Sequence, residues 1–176
     1  MTAISLKSLK PYQIPETVVV LAATMGLPIL VHLLPAFDST PLGARLLPMF
    51  IAPLVASLLY KPHVGLLAAL FAPLINFSIT ARPASEIFLI LCIELVVFTL
   101  VSLRLKNYQI PAIFHVVLAL SVAKLVALFF MVTLPFQIFS GDALTYFVTS
   151  SVLGLPGLLI LTLIAFYLLG VKKDVR

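Results

Sequence analysis

Two residues in this chain stand where chemistry is least expected. Glu94 lies in ILCIELVVF and Lys124 in LSVAKLVALFF, stretches that are otherwise lipid-soluble. An ionisable side chain near a bilayer centre costs at least about 2.5–3.5 kcal/mol on insertion scales, so its retention argues for a function. The two charges are opposite in sign. A lone charge at such depth is costly, so each is expected to have a partner. A carboxylate and an ammonium brought together inside an apolar bundle can form a structural ion pair or bind the polar groups of a ligand.

Other polar residues fall near the same depth. Asn76 offers two amide donors and one acceptor, suited to a heterocycle or a carboxylate. Tyr146, Thr149 and Ser150 follow the i, i+3, i+4 spacing that puts side chains on one helix face. Gln137 and Arg82 are placed in loops, where an arginine can attract or close over an anionic ligand; Arg45 and Asp38 share another loop and can pair there. For the hydroxyls, the competing expectation is hydrogen bonding between helices. His32, His63 and His115 are scattered in depth, so a metal site is not expected, and His63 and His115 are expected at the membrane interface. The single Cys92 matches no metal-binding cysteine pattern. No cofactor is expected.

The elements that must position these residues are membrane helices. The chain has 176 residues, 62% hydrophobic and 10% charged, with mean hydropathy +1.24. Soluble domains carry about 25% charged residues. A span needs about 20 apolar residues. Six stretches qualify: 16–34, 46–60, 64–80, 85–103, 110–134 and 143–171. The second and third are short and contain prolines, a mark either of transport sites or of bent packing helices. The expected fold is all-α, a compact six-transmembrane-helix bundle in one membrane domain, 16–171. It is preceded by a lead-in at 1–15 without the apolar core of a signal peptide, and followed by a basic tail at 172–176.

The net charge of +5 is no nucleic-acid signature, because the basic residues gather at helix ends. With the N-terminus inside, Lys7, Lys10, Lys61, Arg104, Lys106, Lys172, Lys173 and Arg176 face the cytoplasm, against Arg45 and Arg82 outside; Lys124 is the remaining one of the 11. That bias predicts cytoplasmic termini and outer loops at 35–45, 81–85 and 135–142. Counted at 1.5 Å per residue, Glu94 lies roughly 13 Å and Lys124 roughly 15 Å from the outer ends of their spans. Antiparallel neighbours at matched depth can meet. The outer polar residues predict a cavity that opens outward between the third to sixth spans.

With these spans placed, LLPMFIAPLVASLLYKPHVGLLAALFAPLINFSITARPASEIFLILCIELVVF resembles the second to fourth spans of the substrate-binding S-components of energy-coupling factor (ECF) vitamin transporters. The residues carrying the resemblance are Leu47-Pro48, the turn Lys61-Pro62-His63-Val64-Gly65, Asn76, Ala81-Arg82-Pro83 and Glu94. The chain departs from the pattern where glycine is usual, at Lys61-Pro62-His63 and at Ala81-Arg82. The resemblance implies a multi-pass protein of the cell (cytoplasmic) membrane that captures a vitamin-like small molecule from outside. Its implied partners are a transmembrane T-component and two cytoplasmic ATPase subunits. It also implies that small residues in the first span, here Ala22 and Gly26 at i, i+4, face the T-component; packing within the chain is the alternative.

Consistent with the resemblance, the chain has no G-x-x-x-x-G-K-[ST] phosphate loop. Two other classes stand as alternatives. A solitary transporter of the same shape would need no ATPase. A membrane enzyme would need a nucleophile or metal constellation, and neither His-x-x-Glu-His nor Gly-x-Ser-x-Gly occurs; no enzymatic activity is expected.

Overall fold

In the computed structural model the chain is described over residues 13–32, 42–80, 85–108, 110–133 and 142–174. These residues form α1 (Gln13–His32), α2 (Leu42–Leu46), α3 (Pro48–Leu59), α4 (Pro62–Thr80), α5 (Ser85–Leu105), α6 (Ala112–Thr133), α7 (Ala143–Leu153) and α8 (Leu155–Asp174). Four stretches are long and apolar enough to cross a membrane: Leu42–Leu59, Pro62–Ile79, Ile87–Leu105 and Ala112–Thr133. A fifth is the pair α7 and α8, bent by 53° at Gly154. The protein is therefore all-helical, with four to five candidate spans among the described residues, and reads as a multi-pass membrane protein.

The shortest of the long-expected spans is the most deeply placed. Nine of the 12 residues of α3 are buried, and α3 packs against α1, α4, α5 and α8. Its prolines therefore belong to a packing helix at the centre of the bundle. Phe50 of α3 meets Phe98 of α5 edge to face, with ring centroids 5.2 Å apart, a favoured aromatic geometry. Leu54, Leu95 and Leu161 complete this core. Alanines hold the neighbouring helices close: Ala68, Ala69 and Ala72 on α4, and Ala112, Ala119, Ala123 and Ala127 on α6, are all buried. Without a hydrophobic drive between helices in lipid, small residues permit the close approach on which packing depends.

Helix ends explain two departures from the expected spans. Residues 42–45, expected in an outer loop, form α2 together with Leu46. The chain then turns at Leu47, whose φ of 49° and ψ of 45° are left-handed. Pro48 disfavours the right-handed helical region for the residue before it, so α2 cannot run straight into α3. A left-handed leucine costs about 1–2 kcal/mol, and burial of its side chain against the core offsets this. The second departure is the sixth span. The stretch 143–171 has about 29 residues, or about 43 Å of straight helix, against a hydrocarbon core of about 30 Å. It breaks where Gly154 is followed by Pro156. The amide of Gly154 donates to Ser150 O at 3.1 Å and that of Leu158 to Gly154 O at 2.9 Å, so the bend leaves these backbone groups satisfied.

Two side chains finish other helix ends. Lys106 Nζ donates to Ser57 O at 2.9 Å and Tyr60 O at 3.4 Å, placing a cation on the C-terminal carbonyls of α3. Asp142 caps α7, accepting from the amides of Leu144 and Thr145, both at 3.2 Å, and from the Thr145 hydroxyl at 2.6 Å. The Thr145 hydroxyl, followed by the Leu144 and Thr145 amides, holds the Asp142 carboxyl below its ordinary pKa. A depressed folded-state pKa means that the cap stabilises fully above the unfolded value, about 4, and is lost as pH falls through the folded one. Hydrogen exchange should therefore show Leu144 and Thr145 amides better protected than in Asp142→Ala at neutral pH, with the difference closing in acid. Equal exchange at neutral pH would show that the cap is not formed.

Candidate functional site

The apolar runs of α5 and α6 bring Glu94 and Lys124 to one level between antiparallel helices. Lys124 Nζ lies 3.5 Å from Glu94 Oε1, and both residues are buried, 6% and 4% exposed. On the other side Lys124 Nζ donates to Ser150 Oγ at 3.0 Å, and Ser150 Oγ in turn donates to Phe147 O at 3.2 Å. The ammonium thus links α5 to the last turn of α7, where the helix dipole favours a cation. Tyr146, half-buried one turn earlier on α7, is close enough to Glu94 for the two to interact electrostatically. The result is a buried carboxylate and ammonium met by a half-buried hydroxyl and phenol at the junction of three helices.

The depth argument from the sequence thus finds the pair, and the face argument for α7 holds for Tyr146 and Ser150. Thr149 is exposed, so it does not join them. Asn76 is 1% exposed on α4. Arg82 and Gln137 lie outside the described residues, as does Asp38, and so do most of the loops expected to cap the cavity. Ala22 is exposed on α1, and a Cβ added at Gly26 would meet nothing within 4 Å. His63 is exposed. His115 is 1% exposed, because it shares the inward face of α6 with Ala112, Val116 and Ala119. Most other hydroxyls bond within their own helix: Thr99 to Leu95 O at 2.7 Å, Ser57 to Leu54 O at 2.8 Å, Thr162 to Leu158 O at 2.8 Å. Ser150 differs in reaching another helix.

The residues around Lys124 on its open side were not singled out by sequence. A cavity of about 350 Å³ lies between α6 and the α7–α8 bend, lined by Lys124, Ser121, Ser151, Phe147 and Gly154 among others. The signal for it was the excess length of the sixth apolar stretch together with Gly154 and Pro156 at its middle. Broken helices in transporters commonly flank binding sites. No protein-family model, curated protein or solved structure matches this chain.

Proposed function

We propose that this chain is the substrate-binding subunit of an ECF-type importer in the cytoplasmic membrane. It captures a vitamin or related micronutrient from outside and delivers it through a T-component driven by two ATPase subunits. The observation that carries the reading is the Glu94–Lys124 pair at 3.5 Å inside a bundle of apolar helices, since such charges in membrane proteins mark substrate paths. Glu94, Lys124, Ser150 and Tyr146 bind polar groups of the substrate, with Asn76 buried on α4 and Arg82 and Gln137 contributing from the loops. The chain crosses the membrane six times with both termini cytoplasmic, as the loop charges argue. The open face at Ala22 and Gly26 suits the T-component, because a small-residue face lets another helix approach closely.

The test is purification from the host in mild detergent followed by native mass spectrometry. A retained small molecule together with a T-component and two ATPases is expected. A retained molecule without those subunits would assign the chain to solitary transport. Substrate affinity should fall at least about tenfold in Glu94→Gln, which removes one charged hydrogen-bonding partner. Full affinity in a folded Glu94→Gln protein would confine the pair to structure. A cysteine placed within 35–45 should be labelled from outside intact cells; protection there, with labelling at the C-terminus, would invert the topology.

A further inference from the structure

The cavity beside Lys124 opens sideways. Its rim residues Leu125 and Leu155 are 55% and 57% exposed, and Ser121 is exposed beside them. They lie midway along Ala112–Thr133 and at the bend of the α7–α8 pair, both candidate spans. Neighbouring exposed residues on the same helices are apolar: Leu118, Val122, Val152 and Leu159. The mouth therefore faces hydrocarbon, well away from either aqueous side.

The lining is mostly apolar, but its polar groups have donors to spare. An ammonium carries three donors, and Lys124 uses two, on Glu94 and Ser150. Ser121, unlike Ser151, which donates to Phe147 O at 2.6 Å, makes no hydrogen bond with the described residues. A hydroxyl facing lipid without a partner is costly. Because Glu94 already balances Lys124, a second carboxylate in the cavity would leave a net negative charge in hydrocarbon. A neutral acceptor brings no such charge. An apolar cavity of about 150 Å³ holds a benzene, and this one has about twice that volume.

We propose that the cavity takes a neutral, two-ring-sized apolar molecule bearing a carbonyl, drawn sideways from the bilayer, with its carbonyl oxygen accepting from Lys124 Nζ and Ser121 Oγ. The site shares Lys124 with the importer reading but does not depend on it, because it is entered from lipid and needs no ATPase.

Benzophenone is a ligand of this class and forms covalent adducts with C–H bonds when irradiated. The full chain is reconstituted in phosphatidylcholine vesicles, irradiated with benzophenone and mapped by peptide mass spectrometry. Adducts should concentrate on Leu125, Phe147 and Leu158. They should be displaced by benzanilide, which keeps a carbonyl, at about one tenth the concentration needed of 1,2-diphenylethane, which has none. Ser121→Phe, which fills the mouth with an apolar ring, should abolish them, and Leu155→Trp should do so from the opposite wall if Ser121→Phe does not fold. Adducts spread over outward residues such as Leu118, Phe129 and Leu163, unaffected by either filler, would overturn the site. Equal displacement by the two competitors would overturn the carbonyl chemistry. Labelling that appears only in detergent would assign the cavity to a phospholipid chain and overturn the proposal as well.

Discussion

Lys124→Met is expected to destabilise the bundle by about 3–5 kcal/mol, the range for breaking a buried ion pair by removing one member. Glu94 would be left 4% exposed without its ammonium partner. Glu94→Leu should cost a similar amount, because it strands Lys124 with Ser150 alone. The double variant is the informative one. Replacing both charges by apolar groups of similar size is often neutral or stabilising, so Glu94→Leu/Lys124→Met should recover most of either single loss. Ser150→Ala should cost far less, about 0.6 kcal/mol, the average for an interhelical hydrogen bond in a membrane protein. Reversible unfolding in mixed lipid–detergent micelles measures all four. Additive single losses would mean that the two residues do not interact energetically. If the recovered double variant also loses its ligand, the pair serves binding at no gain in stability.

Gly157→Ala is expected to be the most damaging glycine-to-alanine substitution among the described residues. A Cβ there would lie 2.7 Å from the Leu46 carbonyl carbon, 2.7 Å from Leu47 Cγ and 2.9 Å from Arg45 O. Two of these are backbone atoms and cannot swing aside, so α8 must shift away from the α2–α3 junction. Overpacking typically costs 1–3 kcal/mol; the backbone contacts argue for about 3 kcal/mol, with Gly157→Leu worse. Gly26→Ala is the control, since its added Cβ meets nothing within 4 Å. Alanine is favoured over glycine in a helix by about 1 kcal/mol, so that variant should be neutral or more stable. Equal effects at the two sites would show that α8 does not dock on Leu46 and Leu47 as closely as the geometry requires.

What the sequence reveals about this site follows from contrast. Glu94 and Lys124 are legible because nothing else near them is charged, and a fixed rise per residue converts position into depth. Depth is not direction, however. His115 and Thr149 lie on α6 and α7, within the spans expected to hold them, yet one points into the core and the other out of it, since a helix that is apolar all round gives no period from which to read its faces. The break at Gly154 hides in the same way. Hydropathy averages over it, and only the excess length and the Gly154–Pro156 spacing betray it. Residues 42–45 read as loop because the stretch PAFDSTPLGAR is polar and proline-rich, whereas the structure uses Arg45 O and the following Leu46 and Leu47 as the bed for Gly157.

The bend at Gly154 divides one stretch of chain into two parts of unequal local stability. On the α8 side, Gly157, Leu161 and Ala165 are buried in the common core; on the α7 side no residue is buried. Opening free energies follow buried contact, so an element without it forms its own low-stability unit. Moving α7 while α8 stays docked would break the Lys124–Ser150 bond, the Tyr146–Glu94 interaction and the packing of α7 on α6, but would uncover no fully buried α7 side chain. The side chains that flank Lys124 on the α7 side therefore belong to the part of the bundle with the least buried contact, so fluctuation of α7 would widen the cavity beside the ammonium without any melting of the core.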